Sequence, residues 1–225
     1  MHSIRCLALL LFVLSSSSIE LHGQEKIRGR NHEQWAKDIA KFEVQDRENP
    51  PPQQAILFVG SSSIRLWDTG KAFPELKTIN RGFGGSQLSD SIYFAERIIL
   101  KYEPRSVVLY AGDNDLADKV SPEELAKDFN QFVKIIHTKL PGTEIYFLAV
   151  KPSTKRWELF DKQKEANMLI TTRCSLDKRL HYVDTVTPML NSEGKPRKDL
   201  LRDDGLHLND QGYDVWNKML KSLLK

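Results

Sequence analysis

The chain has 225 residues and a formal net charge of +3, and its acidic and basic residues are interspersed. This length accommodates one sizeable hydrophobic core and predicts a single domain. The charge balance argues against a dedicated nucleic-acid binder, which would carry a clustered basic face. Beyond the N-terminus no apolar segment reaches the length of a membrane span, so stable membrane insertion is not expected.

The first 23 residues differ in pattern from the rest of the chain. A short basic start precedes an apolar block at residues 6–14, and small residues follow it. This pattern is typical of a secretory signal peptide, with cleavage after Ser18 or after Gly23. The sequence therefore predicts a signal peptide at residues 1–23, a mature domain at residues 24–225, and a secreted or periplasmic location. Cys174 is then the only cysteine left, and we expect it to serve in packing.

Along the chain, apolar runs alternate with segments of helical periodicity. An amphipathic helix is predicted for residues 32–48. Later helices are predicted from Gln87 to the region before Pro104, after the capping box that begins at Ser121, up to about Lys178, and after Leu208. Five apolar runs are predicted to be strands: residues 55–59, 77–81, 106–111, 144–150 and 180–183.

This alternation predicts an α/β fold with a parallel sheet covered on both faces. Polar or glycine-rich turns follow three of the strands, at Gly60-Ser61-Ser62, at residues 82–86 and at residues 112–115. Because right-handed crossovers bring the carboxyl ends of parallel strands to one edge, we expect these turns to converge there.

The residues in these turns are of the types that acyl transfer from an ester requires. That chemistry needs a nucleophile, a base, a group that orients the base, and donors for the oxyanion. Near the C-terminus, Asp204 precedes His207 by three residues, a spacing that places both on one side of a turn. The candidates for the full set are Ser61, Ser62 or Ser63, the backbone N–H of Gly85, the amide of Asn114, Asp204 and His207.

Each of these motifs has another explanation when taken alone. His207 is compatible with an ordinary surface or core histidine, and residues 82–85 with a phosphate-binding turn. Asn114 with its acidic neighbours is compatible with a solvated turn or a weak cation site, and Asp203-Asp204 with a helix cap. The presence of all four motifs, in this order and each beside a predicted strand or the last helix, favours catalysis.

From Phe58 to Asn209 the sequence resembles the SGNH hydrolases, also called the GDSL family of esterases and lipases. Four blocks carry the resemblance: Gly60-Ser61-Ser62, Asn80-Arg81-Gly82-Phe83-Gly84-Gly85, Gly112-Asp113-Asn114-Asp115 and Asp204 to His207. Two positions depart from the family pattern, since Ser61 replaces an acidic residue and Asp113 replaces a residue that is often threonine.

The resemblance implies a flavodoxin-like three-layer α/β/α sandwich, with the five predicted strands in one parallel sheet. It also implies a serine esterase that needs no metal and no cofactor. Ser62 would be the nucleophile, with Asp204 and His207 completing the triad. The backbone N–H groups of Ser62 and Gly85 and the Asn114 amide would form the oxyanion hole.

We expect the substrate to be a small-molecule or carbohydrate ester with a short acyl group, because no long apolar lid or membrane helix is evident. A lysophospholipase, a small alkyl-ester hydrolase or an acyltransferase would use the same residues, and the oligomeric state is left open. A non-catalytic binding protein with this fold is expected to lack a triad or oxyanion residue, and none is missing. Four residues are candidates for lining the cleft: Trp67, Arg81, Arg156 and Trp157.

Overall fold

The computed structural model describes residues 27–224, so the predicted signal peptide lies outside the described residues. The strands are β1 Ile56–Gly60, β2 Thr78–Gly82, β3 Ser106–Tyr110, β4 Glu144–Leu148 and β5 Leu180–Val183. They form one parallel sheet in the order β2-β1-β3-β4-β5. All five predicted strands are therefore confirmed, with small shifts at their ends.

Helices connect the strands and follow the last of them. They are α1 Ala36–Glu48, α2 Ser62–Arg65, α3 Thr69–Ala72, α4 Leu88–Tyr93, α5 Ala95–Ile98, α6 Asp113–Ala117, α7 Pro122–Lys139, α8 Phe160–Ser175 and α9 Asp210–Lys221. Short 3₁₀ turns lie at His32–Trp35, Leu100–Tyr102, Trp157–Leu159, Thr187–Met189 and Lys198–Leu200. Within residues 27–224 none of these helices combines the length and the apolar character that a membrane crossing requires.

The sheet carries a hydrophobic core on each face, because side chains alternate along a strand. Leu57 and Val59 of β1 point into a core formed with α1, α4, α5, α7 and α8. Ile56 and Phe58 point into a second core formed with α2, α3 and α9. Every residue of β1 and β3 is buried, as expected for central strands of a parallel sheet. The predicted flavodoxin-like three-layer sandwich is thus confirmed.

Two helical predictions show how local signals and packing combine. The N-cap half of the predicted capping box is present, since Ser121 Oγ accepts the Glu124 N–H at 3.2 Å and Pro122 opens α7. Within residues 27–224 no return bond from the Ser121 N–H to the Glu124 side chain is found. The helix predicted from Gln87 onward as one element is instead interrupted at Phe94, whose ψ of 9° ends α4. The Phe94 ring is buried edge-on against Phe83 at 6.2 Å between ring centroids, and this tertiary contact accompanies the break.

Cys174 is buried in the core of the α8 face, in agreement with the packing role predicted for it. Burial raises the pKa of its thiol to about 11. The thiolate form, which is the reactive one, is therefore disfavoured at neutral pH.

The chain turns sharply at the carboxyl end of β1, where the candidate nucleophiles follow. Gly60 has φ +135°, and a Cβ at this position would lie 1.9 Å from the backbone oxygen of Tyr110. Only glycine tolerates both this conformation and this close approach. The glycine thus allows β1 to pass directly into α2 while remaining paired with β3.

Candidate active site

The three consecutive serines after β1 differ in what they expose. Ser61 and Ser63 are each only 3% exposed, whereas Ser62, the first residue of α2, is half-buried. The Ser61 N–H donates to the Tyr110 carbonyl at 3.1 Å, and the Tyr213 hydroxyl donates to the Ser63 carbonyl at 2.8 Å. Packing therefore holds the flanking serines inward and leaves the Ser62 side chain at the edge of the sheet.

The Ser62 hydroxyl is the one that meets His207. The distance from His207 Nε2 to Ser62 Oγ is 2.9 Å, and that from His207 Nδ1 to Asp204 Oδ2 is 2.6 Å. If Nδ1 carries the proton, it donates to the carboxylate and leaves the Nε2 lone pair facing the serine hydroxyl. The structure thus joins Ser62, His207 and Asp204 in one hydrogen-bonded chain, although Ser62 and His207 lie 145 positions apart.

The Asp204 carboxylate is held as an anion. Its Oδ1 accepts the backbone N–H groups of Leu206 at 2.8 Å and His207 at 2.9 Å. Partial burial acts to raise the pKa of Asp204, but the hydrogen bonds from the His207 ring and from these two N–H groups outweigh it. The pKa of Asp204 therefore lies well below its usual range. An ionised Asp204 favours the Nδ1–H tautomer of the His207 imidazole.

The loop that carries Asp204 and His207 is held by a hydrogen bond from a buried lysine. Lys151 is 0% exposed, and its Nζ donates to the Leu206 carbonyl at 2.5 Å. The loop is also closed on itself, since the Arg202 N–H donates to the His207 carbonyl at 2.8 Å. We did not identify Lys151 from the sequence as a site residue. The sequence feature that could have identified it is its position: Lys151 is a charged residue directly after the apolar run of β4, at the carboxyl edge of the sheet, where functional residues are commonly found.

Three donor groups of the predicted oxyanion hole lie on turns that pack together. The Asn114 side chain, at the start of α6, donates through Nδ2 to the carbonyl of Ser86 at 2.9 Å, which brings it beside Gly85. The turn after β2 is tied to β1 by the Phe83 N–H, which donates to the Gly60 carbonyl at 2.9 Å. Among residues 27–224, the backbone N–H groups of Ser62 and Gly85 donate to no protein acceptor. They are therefore available to an external oxyanion.

The asparagine of the second block, Asn80, supports the nucleophile turn from β2. Its Nδ2 donates to the carbonyls of Ile64 at 2.7 Å and Trp67 at 3.0 Å, and its Oδ1 accepts the Gly82 N–H at 2.9 Å. These bonds join the end of α2 to the neighbouring strand. Asn80 thus fixes the position of the short helix that begins at Ser62.

Two residues predicted to line the cleft are buried elsewhere. Trp67 is 4% exposed, its ring packs against Phe58 and Trp216, and its Nε1 donates to Asn217 at 2.9 Å. Arg81 is 8% exposed and bonds the Tyr102 hydroxyl and the Asp46 carboxylate. The prediction for both residues is wrong, because packing partners far away in sequence satisfy an aromatic ring and a guanidinium that the sequence alone leaves unassigned.

The other two cleft candidates lie together in the loop after β4. Arg156 donates through Nη2 to Asn114 Oδ1 at 3.0 Å, so it reaches the proposed oxyanion residues. Trp157 is half-buried, stacks on Phe160 at 4.5 Å between ring centroids, and carries Lys195 Nζ 4.8 Å above its ring. No hydrogen bond or ring contact joins Trp157 to Ser62, Asp204 or His207, so its role in the cleft stays a prediction.

Residues 27–224 contain no group of three or more histidine, cysteine, aspartate or glutamate side chains with the arrangement of a metal site.

The sequence matches the family model of the GDSL-like Lipase/Acylhydrolase family over residues 66–215. The matched segment contains the positions of Gly85, Asn114, Asp204 and His207 but begins after Ser62. A comparison with curated proteins gives no match.

Solved structures of the same fold share little sequence with this chain. A protein of Streptococcus pneumonia proposed to be a platelet activating factor is 22% identical, with a TM-score of 0.75 over 84% of this chain and 92% of its own. A GDSL-like lipase from Bacteroides thetaiotaomicron is 19% identical, with a TM-score of 0.68 over 86% and 96%. A variant of an acetylxylan esterase from Geobacillus stearothermophilus is 13% identical, with a TM-score of 0.63 over 76% and 94%.

Proposed function

The chain belongs to the GDSL-like Lipase/Acylhydrolase family and is therefore an acylhydrolase, and we propose that it is an exported serine esterase that removes short acyl groups from carboxylic esters. In this proposal Ser62 is the nucleophile, His207 the general base and acid, and Asp204 the group that orients His207. The observation that carries the proposal is the unbroken hydrogen-bonded chain from Ser62 Oγ through His207 to Asp204, at 2.9 and 2.6 Å.

Acylation begins when the Ser62 oxygen attacks the ester carbonyl and its proton moves to His207 Nε2. The negative charge that develops on the carbonyl oxygen is met by the N–H groups of Ser62 and Gly85 and by the free amide hydrogen of Asn114. Each such donor contributes about 3 kcal/mol to transition-state stabilisation. Collapse of the tetrahedral intermediate breaks the bond to the alcohol, which leaves with the proton from His207.

Deacylation repeats these steps with water as the nucleophile. His207 takes a proton from the water as its oxygen attacks the acyl carbonyl, and the same donors hold the second oxyanion. Breaking the Ser62 ester bond releases the carboxylic acid and returns the proton to Ser62. Protonation of His207 Nε2 removes the lone pair that both steps need, so we expect activity to fall on the acid side of the pH profile.

The acetyl preference and the carbohydrate substrate rest on more distant support. Solved structures with this fold include acetylxylan esterases. A short-acyl substrate agrees with those enzymes, and a lysophospholipid, a small alkyl ester or acyl transfer to a sugar are the alternatives. Export rests on the signal-peptide pattern at residues 1–23. N-terminal sequencing of the secreted protein tests it, with residue 19 or residue 24 as the expected first residue.

The first test is hydrolysis of p-nitrophenyl esters from acetate to octanoate by the mature protein and its Ser62→Ala variant. We expect the variant to lose activity by about 10⁴-fold or more, because no other group attacks the carbonyl. Ser63→Ala is the matched control and keeps its activity, since the neighbouring hydroxyl is turned into the core. Equal rates in Ser62→Ala and in the unmodified protein would refute the proposed nucleophile.

The same series tests the substrate class. A rate that is highest with acetate and falls with chain length supports a deacetylase, whereas a maximum at octanoate indicates a lipase or lysophospholipase. Acetylated xylooligosaccharides then serve as polymer-derived substrates, with released acetate measured directly. Acetyl transfer to an added sugar without release of acetate would instead indicate an acyltransferase.

A further inference from the structure

Arg156 occupies an unexpected place beside the proposed oxyanion hole. Its Nη2 donates to Asn114 Oδ1 at 3.0 Å, and its Nη1 lies 3.0 Å from Asp113 Oδ1 as an ion pair. The Arg156 side chain is 19% exposed and that of Asp113 is 8% exposed. The guanidinium is thus largely withdrawn from solvent and bridges two consecutive residues at the start of α6.

The contacts of Asn114 leave one group for a ligand. Its Nδ2 donates one hydrogen to the Ser86 carbonyl at 2.9 Å, and its Oδ1 accepts from Arg156. An amide has two N–H hydrogens, so one remains for an oxyanion. Both ends of the amide are held, and its plane is therefore fixed against rotation. A cation on the amide oxygen also draws electron density from the nitrogen and strengthens the remaining N–H as a donor.

Asp113 supplies the charge that holds Arg156 in place. Gln163 Nε2 lies 3.4 Å from the same Oδ1 atom, which limits how far the carboxylate can turn. Asp113 is one of the two departures of this sequence from the family pattern. Asp113 and Arg156 form an ion pair, so the aspartate at this position is explained by the arginine that it holds. We do not expect a lysine to reproduce this arrangement, because its donors lie on one nitrogen, whereas the guanidinium presents separate nitrogens to Asn114 and Asp113 in a fixed plane.

We propose that Arg156, held by Asp113, is a positioning residue of the oxyanion hole that acts through Asn114 and not by binding the substrate. This inference rests on the proposed esterase function. It replaces the prediction that Arg156 lines the cleft to bind an acidic group, because Nη2 donates to Asn114 and the charge of the guanidinium is already paired with Asp113, although Nη1 makes no hydrogen bond.

A double-mutant cycle between Arg156 and Asn114 tests the proposal. Asn114→Ala is expected to lower kcat by about 100- to 1,000-fold through loss of one oxyanion donor. Arg156→Ala is expected to lower kcat by about 10- to 50-fold, because the donor is present but misplaced. In the Asn114→Ala background, Arg156→Ala should change kcat by less than about twofold. Fully multiplicative losses would overturn the proposal.

Two further comparisons separate positioning from substrate binding and from general stability. With a neutral ester, Arg156→Lys and Arg156→Ala should lower kcat and leave KM within about twofold. A rise in KM confined to an ester that carries a carboxylate would show substrate binding and overturn the proposal. Arg179→Ala is the matched control: it removes an arginine paired with Asp177 at 2.7 Å, at the opposite edge of the sheet, and should leave kcat and KM unchanged.

A measurement that needs no turnover keeps this inference distinct from the proposed function. The side-chain amide signals of Asn114 in an NMR spectrum are identified by their loss in Asn114→Ala. They should shift in Arg156→Ala and in Arg156→Lys but not in Arg179→Ala. Unchanged signals would overturn the positioning role while leaving the esterase intact, whereas an inactive wild-type protein with shifted signals would refute the esterase alone.

Discussion

At the scale of single residues, Lys151 shows how a charge in the core supports the site. Its ammonium group is fully buried, and Leu206 provides the backbone oxygen that accepts its hydrogen bond. Desolvation by burial lowers the pKa of Lys151, and the nearby Asp113 carboxylate opposes this effect only in part. The buried ammonium group thus lowers the stability of the folded protein, while its hydrogen bond fixes the loop around Asp204 and His207.

Replacement of Lys151 by methionine tests this interpretation. Because the folded-state pKa is lower than the unfolded one, the native protein binds fewer protons between the two values, and its stability rises with pH in that window. The free energy of unfolding of the wild type should therefore rise relative to that of Lys151→Met as the pH increases towards the pKa of lysine in the unfolded chain. The expected change is about 1.4 kcal/mol for each pH unit of the window.

Chemical denaturation at several alkaline pH values measures this difference, and the same variant reports on the loop. We expect Lys151→Met to lower kcat, because the Leu206 carbonyl loses its donor and the triad loop is less fixed. A difference in unfolding free energy between the wild type and Lys151→Met that stays the same at every pH would show that burial does not lower the pKa of Lys151. Lys164→Met, which removes an exposed pair on α8, is the control.

At the scale of elements, the Asp115 carboxylate joins the two turns that carry the proposed oxyanion donors, and Arg28 from the segment before α1 pairs with it. Asp115 Oδ1 accepts the Leu88 N–H at 3.1 Å, and its Oδ2 accepts the Gly112 N–H at 3.0 Å. Arg28 then covers this carboxylate at 3.0 Å and also bonds Asp128. Asp115 therefore connects the turn after β2 to the turn after β3, and Arg28 compensates its charge.

Burial disfavours the ionised form of the Asp115 carboxyl. Burial raises its pKa to about 6, although the Leu88 N–H and Arg28 both act in the opposite direction. A carboxyl with a raised folded-state pKa contributes most stability below its unfolded pKa, and that contribution is lost as pH rises through about 6. Without Arg28 the ionised carboxylate would be less tolerated, so its protonated form would persist to higher pH.

Arg28→Met is expected to lower the free energy of unfolding by about 3 kcal/mol at pH 8, since it leaves two buried carboxylates without their cation. The loss should be clearly smaller at pH 5, where Asp115 is protonated in the folded state. Denaturant titrations at the two pH values measure both losses. Arg97→Met, which removes a half-exposed pair with Glu43, should cost less than about 1 kcal/mol. An equal loss for Arg28→Met at both pH values would contradict the role of Arg28 in compensating the charge of Asp115.

At the scale of the whole molecule, the strand order decides where the site forms. β1 lies between β2 and β3, so its carboxyl end meets the turns from both neighbours. Ser62, Gly85 and Asn114 come from these three adjacent turns, and the triad loop reaches them from the segment after β5. The site thus lies at the carboxyl edge of the sheet, as is general for open α/β sheets.

The same topology predicts how stability is distributed. β1 and β3 are buried throughout and paired on both sides, whereas β5 is an edge strand in which His181 and Tyr182 are half-buried. We expect the amides of Leu57 and Leu109 to exchange hydrogen only through global unfolding, and those of β5 to exchange at least about tenfold faster by local opening. Native-state hydrogen exchange in low denaturant measures this, and equal protection in β5 and β1 would contradict it.

Much of the architecture was readable from local patterns. Buried strands show as apolar runs, helices as apolar residues at helical spacing, and turns as glycine or capping residues, because each signal depends on near neighbours in sequence. The strands, α7 with its Ser121 cap, and the set Ser62, Gly85, Asn114, Asp204 and His207 follow from such patterns together with the family resemblance.

Contacts between distant segments determine the rest. Local pattern alone does not separate the three adjacent serines, and the resemblance selects Ser62. The structure gives the physical reason, since Ser61 and Ser63 are buried with their backbones bonded to Tyr110 and Tyr213, and Ser62 meets His207. Trp67 and Arg81 looked available for a ligand, yet partners 150 and 35 positions away satisfy them. Arg156 likewise gains its partner Asn114 from 42 positions away. Such pairings arise from packing of the whole sheet and its helices, and no local pattern encodes them.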